Sequence, residues 1–219
     1  MPTLQALARL YESAGAWDAL IAMHLAEAEQ ARDPKRRAAA HARVADVLER
    51  HQGAPAEAMA HHARALGLSP GYAPSFKALA RLYAEAGKHR ELVELHERAV
   101  EQADEPEPAI THLFKIGSIQ EDALGEPAQA AHTYRRILAL DGANLGALHA
   151  LQRATERAGR AAELVDALER EARLRGDGAR AVDLTRAPRR CSTRTSGIAT
   201  ERSPATAACW RSIPGARPP

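Results

Sequence analysis

The chain has 219 residues, 45% of them hydrophobic but only 4% aromatic, and 30 basic against 28 acidic side chains give a formal charge of +2. That length suits one or two domains. Alanine fills 50 positions, with Arg, Leu and Glu next in frequency; these are strong helix formers, and an all-β fold is excluded.

No apolar run approaches about 18 residues, and no basic stretch followed by an apolar one opens the chain, so neither a membrane span nor a secretory signal is expected. The expected compartment is the cytoplasm. Charge is unevenly placed. Residues 187–219 carry six arginines and one acid, Glu201, so residues 1–186 keep 24 basic and 27 acidic side chains and a net charge of −3. With few aromatics, that balance gives no footing for nucleic acid as a partner. Cys191 and Cys209 match no zinc, haem or redox spacing.

Taken in chain order, apolar positions recur at helical spacing over 3–14 and 16–31, 35–52 and 55–68, 74–86 and 88–103, 108–124 and 127–140, and 145–158 and 160–175. A further helix starts near 178. The break inside each couple carries a glycine, at 15, 53, 87, 125 and 159, as expected for the turn of an antiparallel helix pair. Prolines at 34, 70 and 106 fall between couples, where a helix must end or start afresh.

The glycine spacings alternate between 38 and 34, which makes a unit of 72. Shifted by 72, Ala6-Leu7-Ala8-Arg9-Leu10-Tyr11 falls on Ala78-Leu79-Ala80-Arg81-Leu82-Tyr83, and Leu20 falls on Leu92. A weaker third copy keeps Leu151, Gly159 and Leu164 but has Thr155 for the tyrosine. In an interleaved register Arg64, Leu66 and Leu68 fall on Arg136, Leu138 and Leu140. Such periods mark stacked repeats, in which each pair buries its apolar face only against the next pair. The expected architecture is an all-α solenoid of antiparallel helix pairs over residues 1–186.

These residues resemble the tetratricopeptide repeat family. Its pattern of bulky residue, Leu, small residue, Tyr, glycine turn, aromatic and terminal proline is met by Leu4, Leu7, Ala8, Tyr11, Gly15, Trp17 and Pro34. The second repeat offers Gly53, Ala58, Ala65 and Pro70, and the fourth Gly125, Ala130, Tyr134 and Leu140. The chain departs from the pattern in two ways: leucine (Leu20, Leu92, Leu164) stands where alanine is usual after the turn, and the even repeats run longer in their first helix. About five repeats are covered, alternating 34 and 38 residues, and they look like a fragment of a long array from a high-GC bacterium.

From about Pro188 the pattern stops; Leu, Lys and Asp are absent from 187–219, which reads as a disordered tail. A displaced reading frame accounts for it. If the frame slips by one base, each codon of the alternative frame ends in the first two bases of a printed residue's codon. Trp210 then becomes Leu, Met or Val, and Ile213 becomes Asp, Asn, His or Tyr. With GC-rich first bases, the segment 196–213 decodes to L-G-D, then A, then Y-R-R-L-L-A-L-D. Shifted by 72, this falls on Leu124-Gly125-Glu126, Ala130 and Tyr134 to Asp141. A frame change between about 184 and 190 is expected, and the DNA over those codons decides it; an unbroken frame with unlike codons removes the idea. Such a truncation would leave the fifth pair without a polar cap, so fraying or self-association through that C-terminal end is expected.

No phosphate-cradling glycine loop, HExxH, CxxC or nucleophile elbow occurs, and no catalytic residue or cofactor is expected. His61 and His62 are adjacent and point about 100° apart on a helix. His89 and His96 could share a side, but His96 repeats His24 at the 72 offset and marks a packing slot, so no metal site is expected.

The resemblance implies a concave groove lined by the first helix of each pair, holding a peptide or partner helix. Groove-facing candidates are Arg9, Arg43, Lys77, Arg81, Lys115, His149 and Arg153, with Arg9, Arg81 and Arg153 in one slot at intervals of 72. Cations on one wall favour carboxylate-bearing peptides. The expected function is a non-enzymatic scaffold for a protein or peptide partner. The alternative is a regulatory repeat segment of a longer enzyme or signalling protein, cut short by the frame change.

Overall fold

The structure, a computed structural model, describes residues 2–176. Among these residues there are ten helices and no strand: α1 (Pro2–Ser13), α2 (Trp17–Gln30), α3 (Pro34–His51), α4 (Pro55–Leu68), α5 (Ala73–Glu85), α6 (His89–Glu101), α7 (Pro106–Asp122), α8 (Pro127–Leu140), α9 (Leu145–Arg157) and α10 (Ala161–Leu174). Each matches an expected stretch to within two residues. The helix expected near 178, the boundary at 186, the frame change, the disordered 187–219 tail and both cysteines lie outside the described residues.

The 34/38 alternation has a simple origin. The first helices of the odd pairs, α1, α5 and α9, run 12 or 13 residues, whereas α3 and α7 run 18 and 17. The turns differ accordingly. Gly15 sits at φ 66° and its N–H donates to the Glu12 carbonyl at 3.2 Å, while Ala16 N–H reaches back to Tyr11 at 2.9 Å. That left-handed conformation carries little penalty only for glycine, and it satisfies two carbonyls the helix end would leave unpaired. The pattern recurs at Gly87 and Gly159. After the longer helices the reach is six residues, Ala54 N–H to Leu48 and Glu126 N–H to Gln120.

Helix starts are set as locally as the ends. Pro34, Pro55, Pro106 and Pro127 each open a helix, where a missing N–H has no helical acceptor. Asp33 and Asn144 cap α3 and α9 by accepting from Lys35 and Ala147 N–H.

Helices pack on their neighbours in chain order, so the molecule is an α-solenoid. Two apolar clusters form the interior. One joins Val44 and Leu48 of α3 to Met59, Leu79, Leu82, Leu92 and Leu95, and the other joins Leu113 and Ile116 of α7 to Tyr134, Ile137, Leu148 and Leu151. Alanines at zero exposure, among them Ala45, Ala58, Ala130 and Ala154, let helix backbones approach closely, so few aromatics are needed. Each fully buried leucine is worth about 1.5–3 kcal/mol. Leu10, whose repeat mates Leu82 and Ala154 are buried, remains 64% exposed on α1.

One interior slot shows the repeat adjusting size against size. Tyr134 is fully buried against Gly117, with no room for a Cβ between them. At the 72 offset the same two positions hold the smaller ring of His62, also buried, and Ala45. Where the ring is larger, the facing residue has lost its methyl.

Candidate functional site

The seven side chains proposed from sequence all lie on first helices of pairs, and all are exposed: Arg9 on α1, Arg43 on α3, Lys77 and Arg81 on α5, Lys115 on α7, His149 and Arg153 on α9. They differ in what they touch. Arg81 is held by Glu49 of α3 at 2.5 Å and by Glu85 on its own helix at 3.1 Å. Arg153 donates two hydrogen bonds to Glu121 of α7, at 3.2 and 2.9 Å. Glu49 and Glu121 are themselves 72 apart, so one acid–arginine bridge between successive first helices is built twice.

The second bridge is the stronger. The Glu121 side chain is 1% exposed and also accepts from the Tyr134 hydroxyl at 2.8 Å and from Arg157 at 3.3 Å. Burial pushes its carboxyl up, but hydrogen bonds from Arg153 and Tyr134 outweigh burial and hold its pKa below the ordinary value. Arg153 is therefore a structural partner of Glu121. Both acids could have been found in the sequence, since each lies 32 residues before its arginine and recurs at 72.

Arg43 pairs with Glu27 of α2 at 2.6 Å, and His149 lies 3.0 Å from Glu171, which also holds Arg175. Arg9, Lys77 and Lys115 make no ion pair among the described residues. Arg9 and Arg43 are brought together in one cleft between α1, α2 and α3, of about 640 Å³. Lys35 and Arg36 also line it, so four cations face two acids, Glu12 and Glu27. Its floor includes Leu4, Ala8, Met23 and Ala39.

The histidines pack instead of converging. His24 and His96 are both buried, in the slot their 72 offset marks. His61 turns to His41, with Nδ1 atoms 3.2 Å apart, and His62 turns to the Ser75 hydroxyl. His96 Nδ1 lies 3.0 Å from His112 Nδ1, and Phe76 is edge-on to both rings. In each histidine couple one ring must donate and the other accept. Burial pushes the pKa of all six down, that of His96 to about 4 with help from nearby His112 and Lys115. No set of three or more His, Cys, Asp or Glu side chains converges among the described residues, and none of their helices is long and apolar enough to cross a membrane.

The sequence profile of the tetratricopeptide repeat matches residues 3–38 and 75–109, two stretches that start 72 residues apart. No curated protein matches the chain. Among solved structures, the chain is similar to MamA at 16% identity, over 79% of this chain and 96% of that one, with a TM-score of 0.44. It is similar to a tetratricopeptide repeat protein from Parabacteroides merdae at 17% identity, over 83% and 76%, with a TM-score of 0.46. It is also similar to YrrB, described as a TPR protein with an unusual peptide-binding site, at 16% identity, over 71% and 79%, with a TM-score of 0.41.

Proposed function

Because this chain is a tetratricopeptide-repeat protein, we propose that it works as a non-enzymatic scaffold holding a protein or peptide partner along the first helices of its pairs. Repeats of this kind are commonly protein-interaction scaffolds. The cleft between α1, α2 and α3 carries the reading. It combines an apolar floor with a surplus of cations, and Arg9 and Arg43 of the proposed set line it.

The partner is a segment bearing carboxylates, bound by charge-assisted hydrogen bonds to guanidinium groups. Arg9, Lys77 and Lys115 are the cations of the proposed set that have no acid of their own to displace; Arg81 and Arg153 serve chiefly to tie successive first helices together. Leu168 and Leu174, 43% and 45% exposed on α10, are the surface through which copies would self-associate.

The test is fluorescence anisotropy with a labelled acetylated hexapeptide carrying two glutamates, on the full chain and on an Arg9→Glu, Lys35→Glu variant. Binding about tenfold weaker in the variant, and weaker still in high salt, is the expected result. Equal affinity in both chains, or affinity indifferent to salt, rejects the reading.

A further inference from the structure

A second pocket, of about 250 Å³, opens between α4, α5 and α6. It lies on the opposite side of α5 from Lys77 and Arg81, so it does not depend on the cationic cleft. Its wall is apolar, made by Leu66, Phe76, Leu79 and Leu95, with the Tyr83 ring at its edge. Its rim carries Glu91, Glu94 and Arg98, all exposed. Neither glutamate has an ion-pair partner among the described residues. The volume suits one side chain and falls short of the roughly 300–1,000 Å³ that small-molecule sites occupy.

The chain contains a second copy of this pocket, and the copy shows what the rim is built to meet. At the 72 offset, α8, α9 and α10 enclose a cleft walled by Leu138, Leu148, Leu151 and Ala167, which replace Leu66, Phe76, Leu79 and Leu95. Glu163 and Asp166 replace Glu91 and Glu94. There Glu163 is held by the Arg135 guanidinium, which reaches over from α8, and by Arg160 at 3.2 Å. In the first copy Ala63 stands at the Arg135 position and Lys88 at that of Arg160, and neither supplies a cation to Glu91. The acid is retained at both places while the guanidinium is supplied at one. The residue that differs, Ala63, is exposed and leaves the pocket mouth open.

We propose that the α4–α5–α6 pocket receives an arginine side chain from a partner protein, whose guanidinium takes on Glu91 and Glu94 the place that Arg135 takes on Glu163. Arginine fits better than lysine for two reasons. Its planar fork can serve two carboxylates, and its face and stem can lie on the rings of Phe76 and Tyr83 and on Leu66. The groove cleft would select acidic segments and this pocket a basic side chain, so one partner could be gripped on two faces by opposite charges.

The test uses the full chain and a labelled pentapeptide, acetyl-Ala-Leu-Arg-Leu-Ala-amide, beside a twin with citrulline, which keeps the shape of arginine without its charge. The arginine peptide should bind, and the citrulline twin about tenfold more weakly. Glu91→Gln should weaken the arginine peptide by a similar factor. Ala63→Arg should supply the missing guanidinium in cis, block the peptide and raise the melting temperature, with that rise absent when Glu91→Gln is added. Glu29→Gln, an exposed acid on α2 outside both clefts, should leave this binding unchanged. No binding at millimolar peptide, equal binding of the twin, or binding indifferent to both Ala63→Arg and Glu91→Gln overturns the proposal.

Discussion

Gly117→Ala tests the packing logic of the repeat most directly. A Cβ at this position would lie 2.4 Å from Tyr134 Cε1 and 2.5 Å from Cζ, whereas carbon atoms rest at about 3.5–4.0 Å. The ring must therefore move by about 1 Å, yet Tyr134 is 1% exposed and its hydroxyl is tied to Glu121. Overpacking costs about 1–3 kcal/mol, and a contact this short against a buried ring tied by its hydroxyl belongs to the upper part of that range, about 2–3 kcal/mol, against a gain of about 1 kcal/mol for replacing glycine within a helix. A net loss of about 1–2 kcal/mol is expected, read as a melting point lower by about 3–6 °C by far-ultraviolet circular dichroism, with urea unfolding as a second measure. The other copy of the repeat supplies the control. Tyr134→His puts the smaller ring of the other copy here but also removes the hydroxyl bonded to Glu121, so the double variant should lose clearly less than the sum of the two single variants. A Gly117→Ala chain as stable as the parent, or a double variant whose losses simply add, would mean that position 117 is not set by the Tyr134 ring.

Two further outcomes are expected. Six buried or half-buried histidines have folded-state pKa values below 6.5, so the folded chain binds fewer protons than the unfolded one, and stability is lost as the pH falls from about 6.5 toward 4. His96 alone, at about 4, accounts for roughly 3 kcal/mol across that window; melting curves from pH 8 to 4.5 should flatten in His96→Leu, and an unchanged slope counts against the assignment. Arg153→Ala should cost about 2 kcal/mol because it leaves the buried Glu121 carboxylate short of two hydrogen bonds. Arg81→Ala, facing the more exposed Glu49, should cost under about 1 kcal/mol, and equal losses at the two sites would contradict the difference in burial.

What the sequence determined by itself was everything set by local chemistry and by period. Glycines at 15, 53, 87, 125 and 159 fix left-handed turns, prolines at 34 and 106 fix helix starts, and the 72-residue period fixes which positions share an environment. Those signals act within a few residues, so they locate ten helices and their pairing without a model of the packing. Charge partnership is different, because it depends on which side chains meet across helices about 30 residues apart. Arg9, Arg81 and Arg153 are one slot in the sequence, yet Arg81 and Arg153 are tied to Glu49 and Glu121 while Arg9 faces an open cleft. The same holds on the opposite face, where the exchange of Arg135 for Ala63 looks neutral on a helix surface. Only the packing of α4, α5 and α6 shows that it leaves Glu91 without the cation that Glu163 has.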